Sequence, residues 1–238
     1  MIHKKLFIAM MAGILFSGSA GAADAESKRA LGASLSADLV SSYIWRGQDC
    51  GGVSIQPAAT LSYGNVSLGA WGSSGFDKDD TKEVDFTLGY SWKGLNISFT
   101  DYWFSNGPKY FKYGAHNTAH VWEAHAGYDF GCVALNWYTN IGGNDGVTSS
   151  GKRAYSSYVE VSAPFTISSL DFAAEVGASP YATSYYNCNG FAVTNIALSA
   201  AKSFSLTDTS ALKVYAKAVA NPRNSQTYLL AGVSFTAF

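Results

Sequence analysis

Between residues 33 and 46 the chain reads ASLSADLVSSYIWR, with Ala33, Leu35, Ala37, Leu39, Tyr43 and Trp45 at odd positions and Ser34, Ser36, Asp38, Ser42 and Arg46 at even ones. A period of two places one set on each face of an extended segment, so this stretch predicts a strand with an apolar and a polar side. The pattern recurs along the chain. Val53, Ile55, Ala59, Leu61 and Tyr63 alternate with Ser54, Gln56, Thr60 and Ser62, and Val84, Phe86, Leu88, Tyr90 and Trp92 with Glu83, Asp85, Thr87 and Ser91. Trp122, Ala124, Ala126, Tyr128 and Phe130 oppose Glu123, His125 and Asp129; Leu170, Phe172, Ala174 and Val176 oppose Asp171 and Glu175; Leu212, Val214, Ala216 and Ala218 oppose Lys213, Tyr215 and Lys217. Twelve strands are predicted, near 33–46, 53–63, 65–74, 83–93, 95–104, 118–130, 132–142, 154–164, 170–180, 190–202, 210–220 and 226–238.

The links between them alternate in length. Gly64-Asn65, Lys93-Gly94, Phe130-Gly131, 165–169 and 203–209 form the shorter class; 47–52, 75–82, 105–117, 143–153, 181–189 and 221–225 form the longer one. An even number of strands of about ten residues, with short turns at one end and longer loops at the other, is the pattern of an outer-membrane barrel. Hydrocarbon leaves no backbone amide free to find water, so a sheet persists there only when it closes on itself. The predicted fold is therefore all-β, a transmembrane antiparallel up-and-down barrel of about 12 strands forming one domain over residues 26–238. Tyr43, Trp45, Trp92, Trp103, Tyr128, Phe130, Trp137 and Tyr155 fall near strand ends, where interfacial aromatic girdles belong. The last strand keeps its face open, because Phe238 differs in parity from Leu229, Val233 and Phe235.

Composition separates this reading from a secreted β-sandwich, which also alternates. Charged residues make up 14% of the chain and aromatics 15%, whereas soluble domains carry roughly 25% charge. The first 25 residues read as a secretory signal peptide: Lys4 and Lys5, the apolar run Leu6 to Phe16, then small residues up to Ala25. Its removal leaves 14 basic against 16 acidic residues, a balance that gives no sign of nucleic-acid binding. The expected location is the cell outer membrane, with outer-membrane lipids and small polar solutes as partners; no oligomeric state follows. Cys50, Cys132 and Cys188, odd in number and far apart, read as small hydrophobes or one incidental bridge rather than a disulfide framework.

With apolar faces toward lipid, the pore-lining candidates are Asp38, Arg46, Glu83, Asp85, Glu123, His125, Asp129, Glu160, Asp171, Glu175, Lys202, Lys213 and Lys217. Acidic groups gather on the middle strands and basic ones on the first and late strands, which closure makes neighbours, so Arg46 is expected at the pore mouth beside Lys213 and Lys217. Opposing arcs of charge select permeating solutes by sign. The competing reading is that these groups pair and plug the lumen, since charges at membrane depth find partners. His116, His120 and His125 do not converge as metal ligands, because spacings of four and five put His125 on the other strand face. A hydrolase reading would draw on His116 and Asp79-Asp80, yet no G-x-S-x-G elbow occurs. No catalytic residue, cofactor or metal is therefore assigned. Tyr110, Phe111 and Tyr113, with Lys109 and Lys112, suit an interfacial girdle beside an anionic surface.

Ser42-Tyr43-Ile44-Trp45-Arg46-Gly47-Gln48, then Gln56-Pro57, then Gly69-Ala70-Trp71-Gly72-Ser73 resemble, in order, the opening motifs of the TorF-like porins. The similarity continues more weakly through Glu83-Val84-Asp85 and Asp101-Tyr102-Trp103-Phe104, covering about a third of the chain. Asp49 stands where the family pattern has a serine-like residue. The resemblance implies an outer-membrane porin-type barrel and supplies no catalytic residues. Function is expected to be passive diffusion of small polar solutes, with a non-conducting barrel that binds or anchors through its loops as the alternative.

Overall fold

A computed structural model describes residues 30–114 and 117–237. The signal-peptide stretch, His116 and Phe238 lie outside the described residues. Twelve antiparallel strands close into one barrel: β1 (Leu31–Val40), β4 (Ser54–Tyr63), β5 (Val66–Gly75), β6 (Glu83–Trp92), β7 (Leu95–Phe104), β8 (His120–Asp129), β9 (Ala134–Gly143), β10 (Ser157–Ile167), β11 (Leu170–Ser179), β12 (Ala192–Thr207), β13 (Ser210–Asn221) and β14 (Gln226–Ala237). A separate two-stranded hairpin, β2 (Tyr43–Trp45) and β3 (Gln48–Gly51), intervenes after β1. Each barrel strand pairs with its neighbours in chain order, and β1 closes the ring on β14 with Asp38 opposite Ser234.

Alternation sets the two faces. Leu35, Leu39, Leu61, Leu68, Phe86, Leu88, Phe99, Val161, Val176, Leu198 and Val233 are exposed on the outside. Glu83, Asp85, Thr87, Thr100, Glu123, Asn136, Glu160, Glu175, Asn195, Ser199, Lys213 and Ser234 are buried inside. The usual arrangement of a water-soluble domain is thus reversed, and the outer apolar band far exceeds the patch of a few hundred Å² typical of a soluble monomer. Exposed aromatics gather near both rims. Tyr63, Tyr90, Trp92, Tyr128 and Phe130 lie toward the short turns, while Phe76, Phe111, Tyr113, Tyr155 and Phe191 lie among the long loops.

Pro164 removes a ladder donor, and it sits where β10 has left β9: that pairing ends at Ser162 opposite Ala134, while β10 continues along β11. On β14 the odd residues Leu229, Val233 and Phe235 face outward and Leu230 and Ser234 inward, which settles the face that periodicity left open. β12 runs to Thr207, five residues beyond the predicted end, so its link to β13 shrinks to two residues.

Two expectations about the strands fail. The predicted first strand, 33–46, ends at Val40: the backbone N–H of Ser41 still donates to the Ala231 carbonyl in register (2.8 Å), but the Ala231 N–H goes to the Ser41 Oγ (2.9 Å), which caps the ladder there. From there the chain folds inward as the hairpin, so Tyr43 and Trp45 are lumen residues rather than members of a girdle. Lys202 was expected in the lumen, but it shares a face with Ile196, Leu198 and Phe204 and pairs across to Val214, so it points outward. The longer β12 lets the outer phase run through Lys202, a reach that a long flexible side chain accommodates by carrying its ammonium toward an interface.

Candidate functional site: a hairpin across the lumen

The site is built by the sequence YIWRGQ. Trp45 pairs with Gln48, leaving Arg46 and Gly47 as a two-residue turn with φ of 50° and 78°. Positive φ at both central positions is the turn whose twist matches the flanking strands, and glycine at the second is its usual residue. Gly47 is also required by contact, since a Cβ there would collide with the Thr194 carbonyl of β12. A non-glycine residue in the left-handed region costs roughly 1–2 kcal/mol, and Arg46 offsets this through what its side chain reaches.

The guanidinium grips Glu123 on β8 in bidentate fashion, Nη1 to Oε2 at 2.5 Å and Nη2 to Oε1 at 2.9 Å, and Nη1 also donates to the Tyr186 hydroxyl at 2.7 Å. Its carbon lies 4.3 Å from the Trp45 ring centroid, 4.0 Å from Tyr138 and 4.8 Å from Tyr158. Tyr102 on β7 donates to Glu123 Oε1 at 2.9 Å, completing the carboxylate's shell. Both ionic side chains are nearly dry, at 7% and 2% exposure. A planar fork with two parallel bonds and aromatic faces on its flanks is arginine chemistry that lysine would not reproduce.

Other hairpin residues reach other walls. Tyr43 donates to Glu83 Oε2 on β6 at 3.0 Å and packs 5.6 Å from Trp71 on β5. Ile44 enters an apolar spot of Ala197, Val219 and Leu230 on β12 to β14. Asn221 Nδ2 donates to the Gly47 carbonyl at 2.9 Å. The hairpin thereby spans the barrel's cross-section, and the residues that carried the family resemblance, Tyr43, Arg46, Gly47 and Trp71, converge on it.

The remaining candidates divide by height and partner. Lys217 Nζ bonds Glu175 Oε2 at 2.7 Å, and Tyr215 donates to Asp38 Oδ2 at 3.4 Å. Lys213 is buried, with its ammonium 5.5 Å from the Tyr215 ring. Glu160 accepts from Tyr158 at 2.6 Å, with Asn195 Nδ2 at 3.5 Å. His125 stacks 4.4 Å from Tyr138 between Ser98 and Asn136. Asp129 and Asp171 lie at the short-turn rim, where Asp129 accepts from the Gly131 N–H and Asp171 from Thr166. Arg46 is paired with the β8 acid rather than grouped with Lys213 and Lys217; it sits at the turn of an inserted loop rather than at the end of a strand. The aromatic box went unforeseen. Its sequence signal is that Tyr102, Tyr138 and Tyr158 occupy the polar phase of their strands, which an apolar count of tyrosine hides.

A second constellation lies on the outer wall. His120 is fully buried beneath loop 105–114, with Nδ1 2.7 Å from Asp101 Oδ1, Nε2 2.6 Å from the Tyr110 carbonyl and the ring 4.3 Å from Tyr113. Both ring nitrogens are thus engaged within this cluster. Trp103, expected in a girdle, packs under the same loop and donates to the Pro108 carbonyl at 3.2 Å. Among the described residues no three ligating side chains converge on a metal position. Cys50, Cys132 and Cys188 are free thiols.

No protein-family model and no curated protein matches the chain. Solved structures with a similar fold include the NanC porin, 8% identical, aligned over 87% of this chain and 99% of that one with a TM-score of 0.46. An outer membrane channel from Pseudomonas putida F1 is 10% identical over 90% of this chain and 99% of that one, TM-score 0.41. A bacterial polysaccharide outer membrane secretin is 11% identical over 86% and 97%, TM-score 0.43. The likeness is one of barrel architecture alone.

Proposed function

We propose that this chain is an outer-membrane channel of the porin type, passing small polar solutes through a lumen that the β2–β3 hairpin constricts. The observation that carries the reading is the inversion of the barrel: apolar residues outside, charged and hydrogen-bonding residues inside, and a loop folded into the interior. Removing each outward Leu, Val or Phe from water is worth about 1.5–3 kcal/mol, so a closed barrel with this exterior is stable in a bilayer and not free in water. The hairpin is tied down through an ion pair, hydroxyl groups and one apolar contact, none of them part of the barrel's own strand ladders.

A sealed barrel that binds or anchors through its loops is the second reading. It is favoured by the dryness of the constriction, where Glu123, Tyr158 and Tyr186 are at most 2% exposed. Planar-bilayer conductance of the purified protein separates the two. Discrete conductance steps and swelling of liposomes in small sugars are expected. Silence in both assays, from wild type and from Arg46→Ala alike, would establish the sealed barrel instead.

A further inference from the structure

Among the described lumen residues Arg46 and Lys217 are spent on carboxylates, and several acidic groups have no base of their own. Arg46 is held by Glu123 and Lys217 by Glu175. Lys213 lies over Tyr215 and shares a cross-strand row with Ser234 and Asp38. Lys202 faces outward. Glu83, Asp85 and Glu160 are inward, at 6%, 3% and 7% exposure, and have no ion-pair partner among the described residues. Glu83 and Asp85 are adjacent on one face of β6, where one Glu83 oxygen takes the Tyr43 hydroxyl and Asp85 Oδ1 has no hydrogen-bond partner at all. An unpartnered carboxyl oxygen in so dry a place is satisfied by a proton or by a counter-charge, and a passing cation can supply the latter.

We infer that the lumen selects for cations, with Glu83, Asp85 and Glu160 setting the sign of the preference. This rests on the channel reading above. A small monovalent cation crossing at the hairpin's level meets Glu83 and Asp85 on one wall and Glu160 on another, with the packed Tyr43 and Trp71 rings beside the first pair. An anion on the same path meets Arg46 and Lys217 already held by carboxylates, and Lys213, without an ion-pair partner among the described residues, only in one row with Asp38. At about 8 Å in water, one carboxyl in its ionised form favours a cation and disfavours an anion enough to change the permeability ratio about fivefold; screening in 0.1 M salt lowers this to about twofold.

The test is the reversal potential of the reconstituted protein across a tenfold KCl gradient, for wild type, Glu83→Gln/Asp85→Asn and Glu160→Gln, each checked for barrel folding by circular dichroism. Wild type is expected to reverse on the cation side. The substitutions should move the reversal potential toward zero, with the permeability ratio falling about two- to fivefold per carboxylate. Replacing KCl by tetramethylammonium chloride should preserve the sign. Conductance with anion preference, or a cation preference that folded variants leave unchanged, overturns this inference and leaves the channel intact. Absence of conductance from every variant overturns the channel reading itself.

Discussion

Removing the guanidinium at the hairpin tip tests the structure most directly. In Arg46→Ala, Glu123 loses both of its short charge-assisted bonds, Tyr186 loses a donor, and three aromatic rings lose the cation they surround. Breaking a buried ion pair by deleting one partner costs about 3–5 kcal/mol, because the remaining charge stays buried and unpaired. The barrel's ladders do not depend on this contact, so the cost falls on the hairpin. Its closed state loses about two to four orders of magnitude in population at about 1.4 kcal/mol per tenfold, leaving Tyr43 on Glu83, Ile44 in its apolar spot and Asn221 on the Gly47 carbonyl to hold it. Single-channel recording should show larger, longer openings, and hydrogen exchange of residues 43–51 should quicken while that of β12 to β14 does not. Gly47→Ala should act alike through its collision with Thr194. Adding Glu123→Gln to Arg46→Ala should restore part of the closure, since the neutral amide removes the stranded charge. Unaltered conductance and unaltered exchange of residues 43–51 in Arg46→Ala would refute the argument that this arginine holds the hairpin.

Other consequences are open to simple assays. His120→Ala removes two hydrogen bonds and a stacked ring from beneath loop 105–114, a loss of about 2–4 kcal/mol from bonds and cavity together; proteolysis within 105–114 should accelerate while the barrel core resists. Leu198→Arg puts a charge on the outward face near mid-wall and should lower folding stability in bilayers by about 2–4 kcal/mol, measured by urea titration, whereas a comparable inward change at Ser199 should cost less. Thiol labelling should modify exposed Cys132 in the native protein and spare Cys188, whose thiol burial pushes above its ordinary value. Arg46→Ala should open Cys50 to reagent, because that residue rides on the hairpin.

The strand faces and the order of turns and loops were legible in sequence because a period of two is a local property: burial on one side of a pleat is written into every second residue. Glu83, Asp85, Glu123 and Glu160 could be placed on the inner wall from their neighbours alone. Periodicity does not register a segment that keeps its alternation while leaving the sheet. Tyr43 and Trp45 continue the odd apolar phase of β1, yet the break at Ser41 carries them into the lumen, and that break is decided by a hydrogen bond to a residue 190 positions away. Lys202 erred for the converse reason: the strand outran its predicted end, and a charge kept the outward phase.

What the sequence determined by itself was a barrel with its apolar residues outward, since alternating strands about ten residues long and poor in charge satisfy backbone and apolar face together by closing in a membrane. What only the tertiary structure decided was the content of the barrel. Which acid takes which base depends on strand tilt, on closure and on the path of an inserted loop, all of them relations between residues far apart in the chain. Arg46 reads in sequence as one more wall residue before a loop; folded, it is the polar bolt of a hairpin laid across the lumen.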